Sequence, residues 1–165
     1  APSAYALTGI VVTDNDGPLI VESTTPVTET NGDGINATNN APGTDLTITA
    51  TDVSGSDDGI DARNNGTAAL SVTSTGHVAG AKLGIRANNS GTDLTVVANS
   101  VSGSTGINAR NDGTGSLSVT ANGTVTGTGF RGVVARNQSA GLHLDIKVVD
   151  VTGDTDGIYA QGHRD

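Results

Sequence analysis

Gly59-Ile60-Asp61-Ala62-Arg63-Asn64-Asn65-Gly66 decides the fold, because near-copies of this stretch return along the whole chain. A Gly followed by Ile or Val begins at Gly9, Gly34, Gly59, Gly84, Gly106, Gly132 and Gly157, at spacings of 25, 25, 25, 22, 26 and 25 residues. A repeat of this length marks a solenoid, in which one unit cannot bury its own apolar face and stacks on the next. Inside the stretch, Ile60 and Ala62 stand two residues apart, the periodicity of a strand rather than a helix.

Two further segments recur in each unit. Leu70/Val72 has counterparts in Leu19/Val21, Leu46/Ile48, Leu94/Val96, Leu117/Val119 and Leu144/Ile146, and Val78 has counterparts in Val27, Val53, Val101, Val125 and Val151. The pattern predicts an all-β, single-stranded parallel β-helix, residues 1–165 forming one segment with coils starting near 9, 34, 59, 84, 106, 132 and 157. That is about seven coils of roughly 25 residues with three short strands each, stacked about 4.8 Å apart. The gap from the segment-two Leu to the segment-three Val runs 8, 7, 8, 7, 8, 7 residues, which predicts a small bulge on every second coil.

Four residues after each segment-one Ile or Val from the second unit to the sixth stand Asn39, Asn64, Asn89, Asn111 and Asn137. Even spacing turns them inward with the Ile and Ala. Stacked amides donate and accept along the axis, satisfying groups that are costly to bury alone. The positions in the terminal units are Asp14 and Gly162, so the predicted ladder stops at the ends.

Composition fits a narrow core and excludes a broad one, since Tyr5, Phe130 and Tyr159 are the only aromatics. Cysteine is absent, which removes disulfides and thiolate metal sites. No window reaches the roughly 20 apolar residues of a membrane helix, so no membrane insertion by this segment is expected. The net charge of −9 is uneven: residues 1–62 carry ten acids and no base, and residues 63–165 seven acids and eight bases. The acidic front disfavours nucleic acid. The chain opens on Ala1 and closes within the seventh unit, as expected of a processed chain or a piece of a longer array.

Function must lie in the outward residues. The segment-one outer rows are Asn36, Asp61, Arg86, Asn108, Val134, Tyr159 and then Thr38, Arg63, Asn88, Arg110, Arg136, Gln161. Glycoside cleavage needs two carboxylates at a set separation. These rows offer only Asp61, which reads as an exposed ion pair with Arg86, and no aromatic platform for a sugar ring is expected, so no enzyme is predicted and no catalytic residue is assigned. The outer face of segment two is rich in hydroxyls: Thr47/Thr49, Ser71/Thr73, Thr95/Val97 and Ser118/Thr120. These hydroxyls, with Arg63, Arg110 and Arg136, make up the candidate interaction surface. Paired Thr columns also suit an ice-binding solenoid, one alternative; a polysaccharide-active enzyme is another.

No cofactor is expected. Calcium is the one metal weighed, for acidic turns at Asp33, Asp57-Asp58 and Asp154 with Asp156, but each turn supplies fewer than the six to eight oxygens calcium takes. His77, His143 and His163 share no ligand spacing and read as surface residues.

Three repeated phrases, Gly106-Ile-Asn-Ala-Arg-Asn111, Asp45-Leu-Thr-Ile-Thr49 and Asn122-Gly-Thr-Val-Thr-Gly127, resemble the passenger repeats of bacterial autotransporters over nearly the whole chain. The resemblance implies a right-handed β-helix, export through the outer membrane and display at the bacterial cell surface or release from it. It further implies an adhesive or structural stalk, with a C-terminal barrel beyond this segment. The partners so implied are a host-cell surface or matrix component, or further copies of the chain, end-to-end stacking included. No functional residue is carried over.

Overall fold

The computed structural model describes residues 8–138 and 142–162. Every element is a strand, and every pairing between strands is parallel. The first strands of successive coils are β1 (Ile10–Asp14), β4 (Ile35–Asn39), β7 (Ile60–Asn64), β10 (Leu83–Asn89), β13 (Thr105–Asn111), β15 (Arg131–Asn137) and β17 (Asp156–Gln161). They stack in that order as a 7-stranded sheet. The second sheet holds β2 (Leu19–Glu22), β3 (Val27–Glu29), β5 (Leu46–Ala50), β6 (Val53–Gly55), β8 (Leu70–Ser74), β9 (His77–Gly80), β11 (Leu94–Ala98), β12 (Ser100–Gly103), β14 (Leu117–Gly127) and β16 (Leu144–Gly153). This is a β-solenoid, as the period requires.

Register follows the repeat residue by residue. Ile85 pairs with Ile60 and Ile107, and Leu70 with Leu46 and Leu94. The core is therefore one side chain wide: Ile60, Ala62, Leu70, Val72 and Val78 make one layer, each fully buried. Burying side chains of this size contributes about 1.5–3 kcal/mol apiece, and no layer could do so without a coil on either side.

The prediction of three short strands per coil holds for the first four coils and fails for the fifth and sixth. There segments two and three run together as β14, of 11 residues, and β16, of 10. The predicted bulge sits inside this pair, as a register shift between Ala121 and Thr124. In the long turns of the third and fifth coils stands a glycine, Gly76 and Gly123, that leans on the coil before; a Cβ on Gly123 would come within 2.8 Å of Ser100 Oγ.

The Gly of the Gly-Ile/Val step has a steric cause at Gly34, Gly59, Gly84, Gly106 and Gly132, though not at Gly157 in the last coil. A Cβ on Gly59 would stand 2.6 Å from Gly84 O and 2.7 Å from Val78 Cγ1, contacts that no real Cβ atom tolerates. The corner into segment one presses its backbone on the next coil, and only hydrogen fits there.

The asparagines occupy the predicted interior corner, and all five are buried. Asn64 donates to Asn89 Oδ1 (3.0 Å), Asn89 to Asn111 Oδ1 (3.0 Å) and Asn111 to Asn137 Oδ1 (3.2 Å). Asn39 departs from the expected ladder. Its Nδ2 donates to Gly17 O and Asp45 O, and its Oδ1 has no hydrogen-bond partner among the described residues. The turn after Asn39 holds one residue more than the turn after Asn64 and includes Pro42, which has no N–H to offer. Asp14, in register with Asn39, turns its carboxylate to the amides of Asn15 and Asp16 instead.

A second, outer amide chain runs from Asn65 to Asn40 Oδ1 and from Asn40 to Asn15 Oδ1, at 3.0 and 3.3 Å. Sequence reading missed it, although Asn-Asn at 39–40 and 64–65 carried the signal.

Candidate functional site: two outer faces and a corner groove

The candidate interaction residues separate onto different sheets. The hydroxyls lie on the second sheet, in two columns set by register: Thr47, Ser71, Thr95, Ser118 and Thr49, Thr73, Val97, Thr120. Ile20 and Glu22 flank them at one end, Asp145 and Lys147 at the other. A third column, Thr28, Ser54, Ala79, Ser102, Thr126 and Thr152, continues the polar surface along segment three. Arg63, Arg110 and Arg136 lie instead on the 7-stranded sheet. The hydroxyls and the arginines do not form one face, because the chain turns a corner at the Asn ladder between them.

The outer face of the 7-stranded sheet gathers cations. Arg86 joins the three arginines just named, Arg131 stands at the start of β15, and Lys82 precedes β10. Most are matched by carboxylates. Arg63 binds Asp61 through two hydrogen bonds, of 3.1 and 2.6 Å. Arg110 pairs with Asp112 at 2.9 Å and Arg131 with Asp156 at 2.8 Å. Arg136 has no carboxylate partner among the described residues; it and Arg131 lie over the Tyr159 ring, 5.3 and 4.5 Å from its centroid. Val134, on an outward row, is only 5% exposed. Tyr159 is its register neighbour, so a ring capped by two guanidinium groups stands beside it.

The exposed Asp61–Arg86 pair expected from sequence is a different object. Asp61 is 2% exposed, held chiefly by Arg63, while Arg86 sits nearer to Asp58 (3.2 Å) than to Asp61 (3.6 Å). Asp58 is buried as well and accepts the Leu83 N–H. Burial pushes the Asp58 carboxyl up, against the pull of the Arg86 guanidinium, with Asp33 and Asp61 adding to the rise. Parity alone sent Asp61 outward, and only the lengths of Arg63 and Arg86 closing over it explain its burial.

The turn acids have a use that sequence did not suggest. Asp33 Oδ1 accepts the Asp58 N–H, Asp45 Oδ1 the Ala69 N–H, Asp52 Oδ1 the His77 N–H, and Asp93 Oδ1 the Ser116 N–H. Each carboxylate thus ties one coil to the next, satisfying a donor that the corner leaves outside the strand ladder. Of the acids weighed for calcium, Asp33 and Asp58 spend lone pairs on backbone donors, while Asp57 and Asp156 pair with Lys82 and Arg131. Among the described residues, no three His or carboxylate groups stand together as a metal site. His77 is exposed beside Ser102 Oγ (3.1 Å) and His143 is exposed; Tyr5 and His163 lie outside the described residues.

A shallow groove of about 470 Å³ opens where segment three turns into segment one, between Lys82, Leu83, Arg86, Ser104, Thr105 and Phe130. Phe130 stands 60% exposed on its rim. Phe130 is not among the candidate interaction residues read from the sequence. The signal was weak: a lone Phe in Gly129-Phe130-Arg131, outside every repeating apolar position.

No family model matches the chain, and no curated protein or solved structure matches it.

Proposed function

We propose that this chain is a passenger segment of a bacterial autotransporter, exported through the outer membrane and displayed at the cell surface or released from it. It acts as a rigid, adhesive stalk in host-cell adhesion, autoaggregation or biofilm formation. In this reading the stack is right-handed, its seven Gly-Ile/Val units are seven coils of a longer passenger, and contact rather than catalysis is its work. The observation that carries it is the segregation of outer chemistry along one rod: hydroxyl columns repeated at the strand spacing on one sheet, and on the other a row that holds Arg63, Arg110 and Arg136. Repetition of weak contacts along a stiff scaffold gains avidity without any deep pocket. Deleting the segment from the displayed protein should lower adherence to host cells and clumping of the bacteria. Unchanged adherence and clumping refute the proposal.

A second reading rests on the hydroxyl columns, whose in-register rows across four coils would present an ordered array to water. Purified chain would then show thermal hysteresis, lost in Thr73→Lys. A freezing point equal to the melting point at high protein concentration removes this reading.

A further inference from the structure

We propose that the corner groove beside Phe130 is a binding site for a neutral, hydroxyl-rich glycan, taking one hexose ring against Phe130 and its hydroxyls on Lys82, Arg86, Ser104 and Thr105. The groove crosses three coils, so it is about 10 Å long, two strand spacings. Its floor at Leu83 is apolar, and its rim carries the only exposed aromatic ring of high exposure among the described residues. A Phe left in water has lost the burial that would stabilise it, and an apolar ring face next to fixed hydrogen-bond donors is the pairing that a sugar, apolar on its C–H face and polar at its edge, can match.

Charge decides which kind of sugar. Lys82 and Arg86 are the charged groups that line the groove, and both are already neutralised from behind. Lys82 Nζ lies 2.6 Å from Asp57 Oδ1, and Arg86 lies 3.2 Å from Asp58 and 3.6 Å from Asp61, whose other partner is Arg63. Three carboxylates balance three cations, and Asp33 adds a further negative charge next to Asp58. The groove therefore offers N–H donors without surplus positive charge, which suits hydroxyl acceptors and not a carboxylate or sulfate. The same ion pairs hold the long Lys82 and Arg86 side chains in place, so less rotamer entropy is lost on binding.

The adhesive reading supplies only the setting; binding is measured on the chain in solution and adhesion on cells, so either can fail alone. The test is a backbone-amide NMR titration with linear neutral tetrasaccharides of gluco, galacto and manno configuration, and with tetragalacturonate as the acidic probe. At least one neutral probe should shift the Ser104, Thr105 and Phe130 amides with a dissociation constant of about 1 mM, the scale of one shallow contact. Phe130→Ala should weaken that binding tenfold or more, Phe130→Trp should bind as well as the parent chain, and Thr13→Ala, exposed on the first coil, should leave it unchanged. The proposal is overturned if no neutral probe shifts these amides through the low-millimolar range. It is also overturned if tetragalacturonate binds more tightly than every neutral probe, or if Phe130→Ala binds as well as the parent chain.

Discussion

Replacing Asn89 by Leu, with Asn39→Leu beside it, measures what the amide ladder contributes. Asn89 Nδ2 donates to Asn111 Oδ1 (3.0 Å), Asp93 O (3.1 Å) and Thr92 O (3.2 Å), and its Oδ1 accepts from Asn64 Nδ2 (3.0 Å) and Gly91 N (3.3 Å). Most of these partners keep a second contact. Asn64 still donates to Ala68 O and Ala69 O, Asn111 Oδ1 still accepts from Gly113, and Asp93 O still accepts from Leu70. Gly91 N–H is the group left without one. The loss is about three net hydrogen bonds at about 1 kcal/mol each, plus about 1–3 kcal/mol for the orphaned amide. The buried Leu side chain returns about 2 kcal/mol.

Asn89→Leu should therefore destabilise by about 2–4 kcal/mol. At Asn39 the balance differs, because only two bonds are lost, both to carbonyls that keep another donor, and an unpartnered Oδ1 is removed. Asn39→Leu should fall within about 1 kcal/mol of neutral. Urea unfolding at matched slope reads both, and hydrogen exchange of the Gly91 amide reads the orphaned donor. Equal costs at the two sites, or an unchanged Gly91 amide in Asn89→Leu, refute the ladder as a source of stability.

Gly59→Ala should cost about 2–4 kcal/mol, since backbone at Gly84 and the Val78 side chain cannot both yield, whereas Gly32→Ala, 4.0 Å from its nearest neighbour, should be close to neutral. Equal melting temperatures for the two variants would show that the corner is not tight. Asp58 gives a pH signature: a raised acid binds its proton more firmly when folded, so stability falls as pH rises from the ordinary aspartate range through the raised value. Asp58→Asn should flatten that part of the profile, and a slope of unchanged size sinks the assignment. Glu29 works in the opposite sense, because the amides of Asn31 and Gly9 hold its carboxyl below the usual range. Its contribution is present above the ordinary glutamate value and is lost as pH falls through the lowered one, a step that Glu29→Gln should remove from the acid limb of an unfolding titration. At the C-terminal end of the stack Ile158 is 42% exposed, and among the described residues β16 and β17 each have an edge without a strand partner. The isolated chain should therefore associate end to end with rising concentration, and a single monomeric species in sedimentation at all concentrations argues against it.

Much of this architecture was legible in advance because its rules are local or periodic. A period of about 25 residues forces stacking, alternation decides which side chains turn inward, and a constant offset of four residues from each Ile or Val brings Asn64, Asn89, Asn111 and Asn137 into one column. What parity cannot give is reach. Asp61 points outward by alternation and is buried only because two arginines from neighbouring positions fold over it. Nor does any local rule show that the next coil brings an N–H to each of Asp33, Asp45, Asp52, Asp58 and Asp93.

The Gly59–Gly66 stretch draws the same line within eight residues. Its own letters determined a strand, an inward Ile60, Ala62 and Asn64, and a unit of a stack. Only the tertiary structure decided why Gly59 is glycine, why Asp61 is buried, and why Arg63 belongs to a face that the hydroxyl columns do not share. The reason is physical: inward or outward is settled by backbone geometry within one strand, whereas contacts across coils and around corners depend on how each turn wraps and how far a side chain extends. The groove at Phe130 is of that second kind, assembled from three coils mostly by residues outside the repeating positions.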